Sequence, residues 1–319
     1  MTVNKSYNFS GKKIWIAGHN GLLGGALLRA ISCYNCQVIK SSRGELDLTN
    51  QTAVNLWLKK NKPDVIFIAA AKVGGIKANS ELPANFIFDN LMIQTNIIHG
   101  AYLNSIARVI FFGSSCSYPK NAEQPISESQ LLTGKPELTN LPYSIAKIAG
   151  MQMIEAYANQ YGCDFISCIP TNTYGPGDNF NLDTSHVIPS MIRKLHEAKV
   201  NKLKEITFWG TGEPLREFLF INDLAEAAIF LSENYFEKTP INIGSGHEIS
   251  IKDLAFLIAQ VVGYDGLIDF DIQKPDGMKR KALNSEKINK LGWKPSIELE
   301  FGIETTYRWF LDNPEKIRY

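Results

Sequence analysis

The chain has no surplus of charge of either sign: among its 319 residues, 33 Lys and Arg stand against 32 Asp and Glu. A net charge of +1 gives no field that would gather nucleic acid or an anionic membrane, so neither is expected as a partner. Any anionic ligand must be held by a local site. Long apolar runs are also missing. Nothing approaches the roughly 20 residues that cross a bilayer, and the opening MTVNKSYNFSGKK lacks the apolar segment of a secretory signal. Cysteine is scarce: Cys33, Cys36, Cys116, Cys163 and Cys168 are odd in number and too sparse for a disulfide framework. The C-x-x-C of Cys33 and Cys36 has no second pair at zinc spacing, so no metal is expected. A reducing cytoplasm is the expected location.

What the chain does have is 45% hydrophobic residues, enough for a sizeable core. They fall into short β-rich runs alternating with helical ones. Strands are expected at KKIWIAG (12–18), QVIKS (37–41), VIFIAAA (65–71), RVIFFG (108–113) and DFISCIP (164–170). Helices are expected at 22–31, near 51–61, at 85–104 and at 143–161. Near-continuously apolar strands alternating with helices predict an α/β, Rossmann-like, doubly wound parallel sheet. After Pro170 the rhythm loosens into loops around a helix at 186–198. Residues 218–248 read as a strand-helix-strand return to the sheet. Ser250 with Asp253 reads as a capping box that opens a helix ending near Val262. A strand near 267–271, the basic run KPDGMKRK and a helix ending in YRWFLD complete the chain. The expected division is a dinucleotide-binding domain over 1–171, joined by 218–248, and a smaller mixed α/β domain over 172–217 and 249–319.

The turn Gly18-His19-Asn20-Gly21-Leu22-Leu23-Gly24 follows the first strand and opens the first helix. Glycines there let backbone approach a pyrophosphate, and the first-turn amides of the helix supply donors. The second strand ends in Lys40-Ser41-Ser42-Arg43 without the acid that would hold a ribose 2′-hydroxyl. Arg43 suits a 2′-phosphate, so NADP(H) is expected over NAD(H). Tyr143 and Lys147 stand four apart on a helix and share one face. An ammonium beside a phenol lowers its pKa and fits it for proton exchange. Ser114 and Ser115 close the fourth strand, where a ligand crevice opens. Cys116 follows them directly. A cysteine is ordinarily a small buried hydrophobe; at this lip it could also act as a base toward a carbon acid. His186, opening the helix after the loops, reads either as a surface or capping histidine or as a proton donor.

The glycine turn, the serine and Tyr-x-x-x-Lys, in that order, point to the short-chain dehydrogenase/reductases in their extended form. The further runs AAAKVGGIKAN, GSSCSYPK, PYSIAKIAG, PTNTYGPGDNF, SHVIPSMIRK, LREF and KPDG-x-x-RK resemble the GDP-L-fucose synthase family over nearly the whole chain. The resemblance implies a 3,5-epimerisation of GDP-4-keto-6-deoxy-D-mannose followed by NADPH-dependent reduction at C4. In that pattern Cys116 and His186 form the base and acid pair, Tyr143 protonates the alkoxide, Lys147 tunes it and Ser114 orients the ketone. It places the cofactor along Gly18, Asn20, Gly21, Leu22, Leu23, Gly24, Arg43, Leu48, Ala70, Ala71, Tyr143, Lys147, Pro170, Asn172, Thr173 and His186. It assigns Ser115 and Asn172 to the sugar, and Lys194, Trp209, Arg216, Asp276 and Lys281 to the GDP part. Relatives carry arginine where Asn20 stands and often where Lys194 stands, which weakens the expected NADP preference and one bidentate phosphate contact. A homodimer through the helices at 85–104 and 143–161 is the family expectation. Two other functions stay open at this point: a GDP-L-colitose synthase, inverting C5 alone, and a non-catalytic NADP-binding protein. A UDP-hexose 4-epimerase would have no use for the Cys/His pair. A sugar dehydratase would carry acids where Cys116 and Ser117 stand.

Overall fold

The computed structural model describes residues 7–274 and 276–317; the first six residues and Pro275 of the KPDG run lie outside them. The first half runs β1 (Lys13–Ala17), α1 (Leu22–Ile31), β2 (Gln37–Ile39), α2 (Gln51–Asn61), β3 (Val65–Ile68), α3 (Ile76–Glu81), α4 (Pro83–Leu103), β4 (Arg108–Phe112), α5 (Leu141–Tyr161) and β5 (Asp164–Pro170). The second half begins with β6 (Asn172–Tyr174), α6 (Val187–Val200), β7 (Glu205–Trp209), β8 (Leu215–Phe220), α7 (Ile221–Asn234) and β9 (Ile241–Ile243). It closes with β10 (Glu248–Ser250), α8 (Ile251–Val262), β11 (Leu267–Asp271), β12 (Arg280–Lys281), α9 (Glu286–Leu291) and α10 (Leu299–Asp312).

Six strands form one parallel sheet in the order β2-β1-β3-β4-β5-β9. The chain leaves β1 toward β2 and comes back to β3 on the other side. The switch point between β1 and β3 is where a crevice opens at the carboxyl ends of the strands. Every residue of β3 and β4 is buried, because helices cover both faces. One core joins Leu27 of α1 to Leu224 and Leu231 of α7, beneath Ile14 and Ile110 of the sheet. The other joins Val54 and Leu58 of α2, Ile97 and Ile98 of α4, and Met151 and Ile154 of α5. Arg108 ties α7 to the sheet. Its guanidinium is fully buried and donates to the carbonyls of Ser232 at 2.9 Å and Leu231 at 3.2 Å, and to Tyr235. Those carbonyls lie at the C-terminus of α7, where a cation is favoured.

Ile288 of α9 packs on the first core, while a third joins α6, α8 and α10. There β8 runs antiparallel to β10 and parallel to β12 and β6, while β7 and β11 form a separate parallel pair. This changes the reading of residues 218–248. The helix α7 and the strand β9 return to the large sheet, but the leading strand β8 does not; it carries the small sheet. Its apolar residues Phe218 and Phe220 fill the third core, which satisfies the same hydrophobic pattern. Ser250 caps α8 as expected, its Oγ accepting from Asp253 N at 2.9 Å, but the Asp253 carboxylate accepts from the Ser250 hydroxyl at 2.6 Å, which is not the backbone bond of a full capping box. Gly263, at φ +73°, closes α8. Among the described residues no helix is long and apolar enough to cross a membrane.

Candidate active site

The glycine turn is shaped by backbone packing. Gly18 has φ +88°, and a Cβ there would fall 2.6 Å from the Ala70 backbone at the end of β3. A Cβ on Gly24 would fall 2.1 Å from the Gly18 carbonyl oxygen, so α1 starts directly on the turn. Gly21 differs, because only the Gly18 carbonyl comes within 3.4 Å of its Cβ position. The N-terminus of α1 has neither a side-chain cap nor an acidic residue in its first turn. Such a terminus has unsatisfied donors that a pyrophosphate would satisfy. The residues present therefore fit a dinucleotide. Arg43 is exposed beyond the end of β2, and Leu48 is half-buried, its carbonyl accepting from Asn96 at 3.0 Å. Ala70 packs on the core, while Ala71, Pro170, Asn172 and Thr173 are half-buried at the ends of β3, β5 and β6.

The chemistry-bearing side chains gather where β4 ends. Residues 115–117 form a single 3-10 turn, with Ser114 Oγ accepting from the Cys116 amide at 3.2 Å. Ser115 is buried at its base. From α5, Ser144 donates to the Cys116 carbonyl at 2.8 Å, which seats the helix against this turn and brings Tyr143 into a hydrogen bond with Ser114. Burial, and then the neighbouring Cys116, push the Tyr143 phenol well above its ordinary range; the Ser114 bond only partly opposes them. Lys147 is buried and donates to the Phe112 carbonyl at 2.8 Å, with its ammonium 5.9 Å from the Tyr143 ring centre. Burial brings it down to about 8. The expected lowering of the phenol by Lys147 does not outweigh burial. The ammonium is spent on a carbonyl, and desolvation dominates both groups.

Cys116 is half-buried and a free thiol. Lys281, only 9% exposed on β12, places Nζ 3.3 Å from Sγ, and Asn140 Nδ2 lies 3.9 Å away. Burial by itself raises the thiol pKa. Lys281, the Ser114 hydroxyl and Arg216 together outweigh it, and the net direction is down. His186, at the N-cap of α6, is exposed, so it meets solvent directly. Desolvation by the surrounding protein and then the Lys281 charge push it down. Exposure screens that shift.

The residues expected for GDP lie on the small sheet, on the separate β7–β11 pair with its loops, and on α6. Trp209, at the end of β7, is 70% exposed, and Lys274 stands 5.6 Å from its ring centre. Lys194 of α6 lies 5.9 Å from the ring centre of neighbouring Phe208. Asp276 accepts from the Thr211 amide at 2.9 Å and hydroxyl at 2.8 Å, joining the loop after Trp209 to the loop before β12. Arg216 of β8 pairs in register with Lys281 of β12. Asn172 donates to the Glu217 carbonyl at 2.9 Å, so β6 is fixed to the same strand.

A family model, the NAD dependent epimerase/dehydratase family, matches residues 14–244. The GDP-L-fucose synthase of Sinorhizobium fredii is 49% identical, across 96% of this chain and 98% of its own. The chain belongs to the GDP-L-fucose synthase family. The GDP-L-colitose synthase of Yersinia pseudotuberculosis is more distant, at 36% identity over 94% of this chain and 98% of its own. Among solved structures, the GDP-L-fucose synthetase of Naegleria fowleri bound to NADP superposes with a TM-score of 0.92 at 28% identity, covering 99% of both chains. A GDP-6-OMe-4-keto-L-xylo-heptose reductase from C. jejuni gives 0.89 at 34% identity, covering 97% of this chain and 99% of that one. The family is NAD(P)-dependent.

The structure adds residues that sequence reasoning left out. Asn140 and Ser144 both touch Cys116, although each stands within or beside the PYSIAK run. Glu217, inside LREF, is fully buried, and its carboxylate accepts from the amides of Gly246 at 2.8 Å and Leu283 at 2.9 Å. An acid placed next to the apolar run Phe218–Ile221 was the signal that could have marked it.

Proposed function

We propose that the chain converts GDP-4-keto-6-deoxy-D-mannose to GDP-L-fucose, by inversion at C3 and C5 and then reduction at C4. The observation that carries this reading is the placing of Cys116 beside Ser114 and Tyr143, with Lys281 against its sulfur. A plain reductase or a UDP-hexose epimerase has no need of that thiol. Carbons 3 and 5 flank the C4 ketone, so their protons leave through an enolate. Cys116 as thiolate takes one proton, and His186 returns one on the opposite face; the roles exchange with the carbon inverted. The exposure of His186 lets it trade its proton with solvent between steps. Ser114 donates to the ketone oxygen, which stabilises the enolate at the atom where charge develops. When bound, NADPH supplies hydride to C4. Tyr143 then gives its proton to the alkoxide. Its raised pKa keeps that proton in place at neutral pH, and an alkoxide is basic enough to take it.

Arg216, Lys194 and Lys281 hold the diphosphate, and Trp209 offers its face to guanine. Arg43 meets the 2′-phosphate. Asn172 and Ser115 orient the sugar. The two-domain division reads as a cofactor half on the large sheet and a nucleotide-sugar half on the small one. The chain works as a cytoplasmic homodimer through α4 and α5, which leave Phe88, Leu103, Ile145 and Tyr161 exposed.

Purified protein incubated with NADPH and GDP-4-keto-6-deoxy-D-mannose is expected to consume NADPH and yield GDP-L-fucose. Turnover of the 3,6-dideoxy analogue alone would move the assignment to colitose synthesis. No turnover of either would overturn it.

A further inference from the structure

Cys116 and Lys281 are 165 residues apart in the chain, and their contact joins the two sheets. The ammonium that makes it is held by a segment with little freedom. Lys281 pairs with Arg216, Ala282 N donates to Gln124 Oε1 at 2.9 Å, and Leu283 N donates to the buried Glu217 carboxylate at 2.9 Å. Asn284 N and Ile126 N complete a backbone clasp with the 126 and 282 carbonyls, each bond 2.8 Å long. Among the described residues no carboxylate pairs with Lys281. An ammonium that is nine-tenths buried needs a negative partner or a large desolvation cost remains. The nearest group able to become negative is the Cys116 sulfur. The other groups facing that sulfur point the same way. Arg216 adds a second cation from β8, Ser114 and Asn140 offer polar hydrogens, and Tyr143 on α5 is neutral. His186, from α6, faces the same ammonium.

We propose that Lys281 is a catalytic residue whose ammonium touches the reacting sulfur and holds Cys116 as a thiolate before any substrate binds. The thiol proton passes to solvent, Lys281 stays charged, and the base for the first carbon-proton removal is ready when the sugar arrives. This gives Lys281 a part in the chemistry beyond contact with the GDP. It rests on Cys116 being the base, and it can be tested apart from turnover.

The test is the pH dependence of Cys116 alkylation by iodoacetamide in the full chain without NADPH or sugar, followed peptide by peptide so that the other four cysteines do not interfere. Alkylation reports the thiolate fraction. In the wild type the midpoint should lie below that of a free thiol. Lys281→Gln should raise it by at least about one unit, slowing alkylation about tenfold near neutral pH, and Lys281→Arg should recover most of the rate. NADPH binding confirms that each variant is folded. An unchanged midpoint in Lys281→Gln overturns the proposal. So does a wild-type midpoint at or above the ordinary thiol range, a result that needs no variant. A depressed wild-type midpoint in a protein that turns over no sugar supports the pairing and removes the proposed function instead.

Discussion

Three neighbouring glycines should respond to the same alanine substitution in three different ways. A methyl on Gly24 would stand 2.1 Å from the Gly18 oxygen and 2.7 Å from both the Gly18 carbonyl carbon and the His19 Cα. Carbon and oxygen normally approach to about 3.3 Å, so the overlap is more than about 1 Å. It is with backbone, which cannot rotate aside. Either α1 slides away from the turn or the turn deforms, and overpacking of this kind costs roughly 1–3 kcal/mol. The helix also carries Ala26, Leu27 and Ile31 into the core, so the displacement is felt there. Gly24→Ala should therefore lower cofactor-free stability by that amount. It should also weaken NADPH binding, because a displaced turn no longer presents its amides to the pyrophosphate. Gly25→Ala is the internal control. Its methyl meets only the Arg29 side chain at 3.6 Å and the His19 oxygen at 4.0 Å, in a helix interior. It should stabilise the chain by about 0.5–1 kcal/mol and leave NADPH binding alone. Gly21→Ala should keep cofactor-free stability, since its φ is −83° and the Gly18 oxygen at 3.4 Å is at ordinary contact distance, yet lose NADPH affinity because the methyl stands where phosphate must approach. Urea unfolding and fluorescence titration with NADPH read both quantities. A Gly24→Ala protein that matches the wild type in both would refute the packing argument. Normal NADPH affinity in Gly21→Ala would show that the pyrophosphate does not lie on this turn.

Arg43→Ala should reduce kcat/KM with NADPH by about tenfold or more, the worth of a charged hydrogen bond, while leaving NADH kinetics unchanged; equal losses with both cofactors would contradict the 2′-phosphate contact. Trp209→Ala should raise KM for the GDP-sugar by about 5- to 150-fold, since base stacking on an aromatic is worth about 1–3 kcal/mol, with kcat nearly constant. For Lys147 the sign is worked from its depressed pKa. The unfolded chain keeps the proton to 10.5, whereas the folded chain releases it near 8. Between those values the unfolded state binds more protons, so stability rises with pH. The unfolding free energy of the cofactor-free wild type should therefore gain on that of Lys147→Met between pH 8 and 10.5, and a constant difference would contradict the buried charge.

The large sheet was legible because its strands are continuously apolar and its helices carry clear boundaries. Asn50 caps α2 by accepting from Ala53 at 3.0 Å, and α1 and α2 span the residues expected. The short helix α3 was not legible. It lacks a side-chain cap and an acidic first turn, and its six residues lie in a run that reads as a motif loop. The strand β8 was visible as a strand but not as a member of the small sheet. Its partners β10 and β12 are brief, and β12 has only two residues with no pattern of its own. The site divides in the same way. Gly18 to Gly24, Ser114, Tyr143 and Lys147 follow local rules of turn and helix spacing. The meeting of Lys281 with Cys116 depends on the Glu217 carboxylate pinning Leu283, a tertiary contact that no local spacing encodes.

The central claim, that one site inverts two carbons and reduces a third, is tested most directly by running the reaction in deuterium oxide with unlabelled NADPH. The account predicts GDP-L-fucose that carries solvent deuterium at both C3 and C5, with the new C4 hydrogen unlabelled because it comes from the cofactor. Deuterium at C5 alone, or reduction with no solvent label, would contradict the assignment of Cys116 and His186 to a double epimerisation.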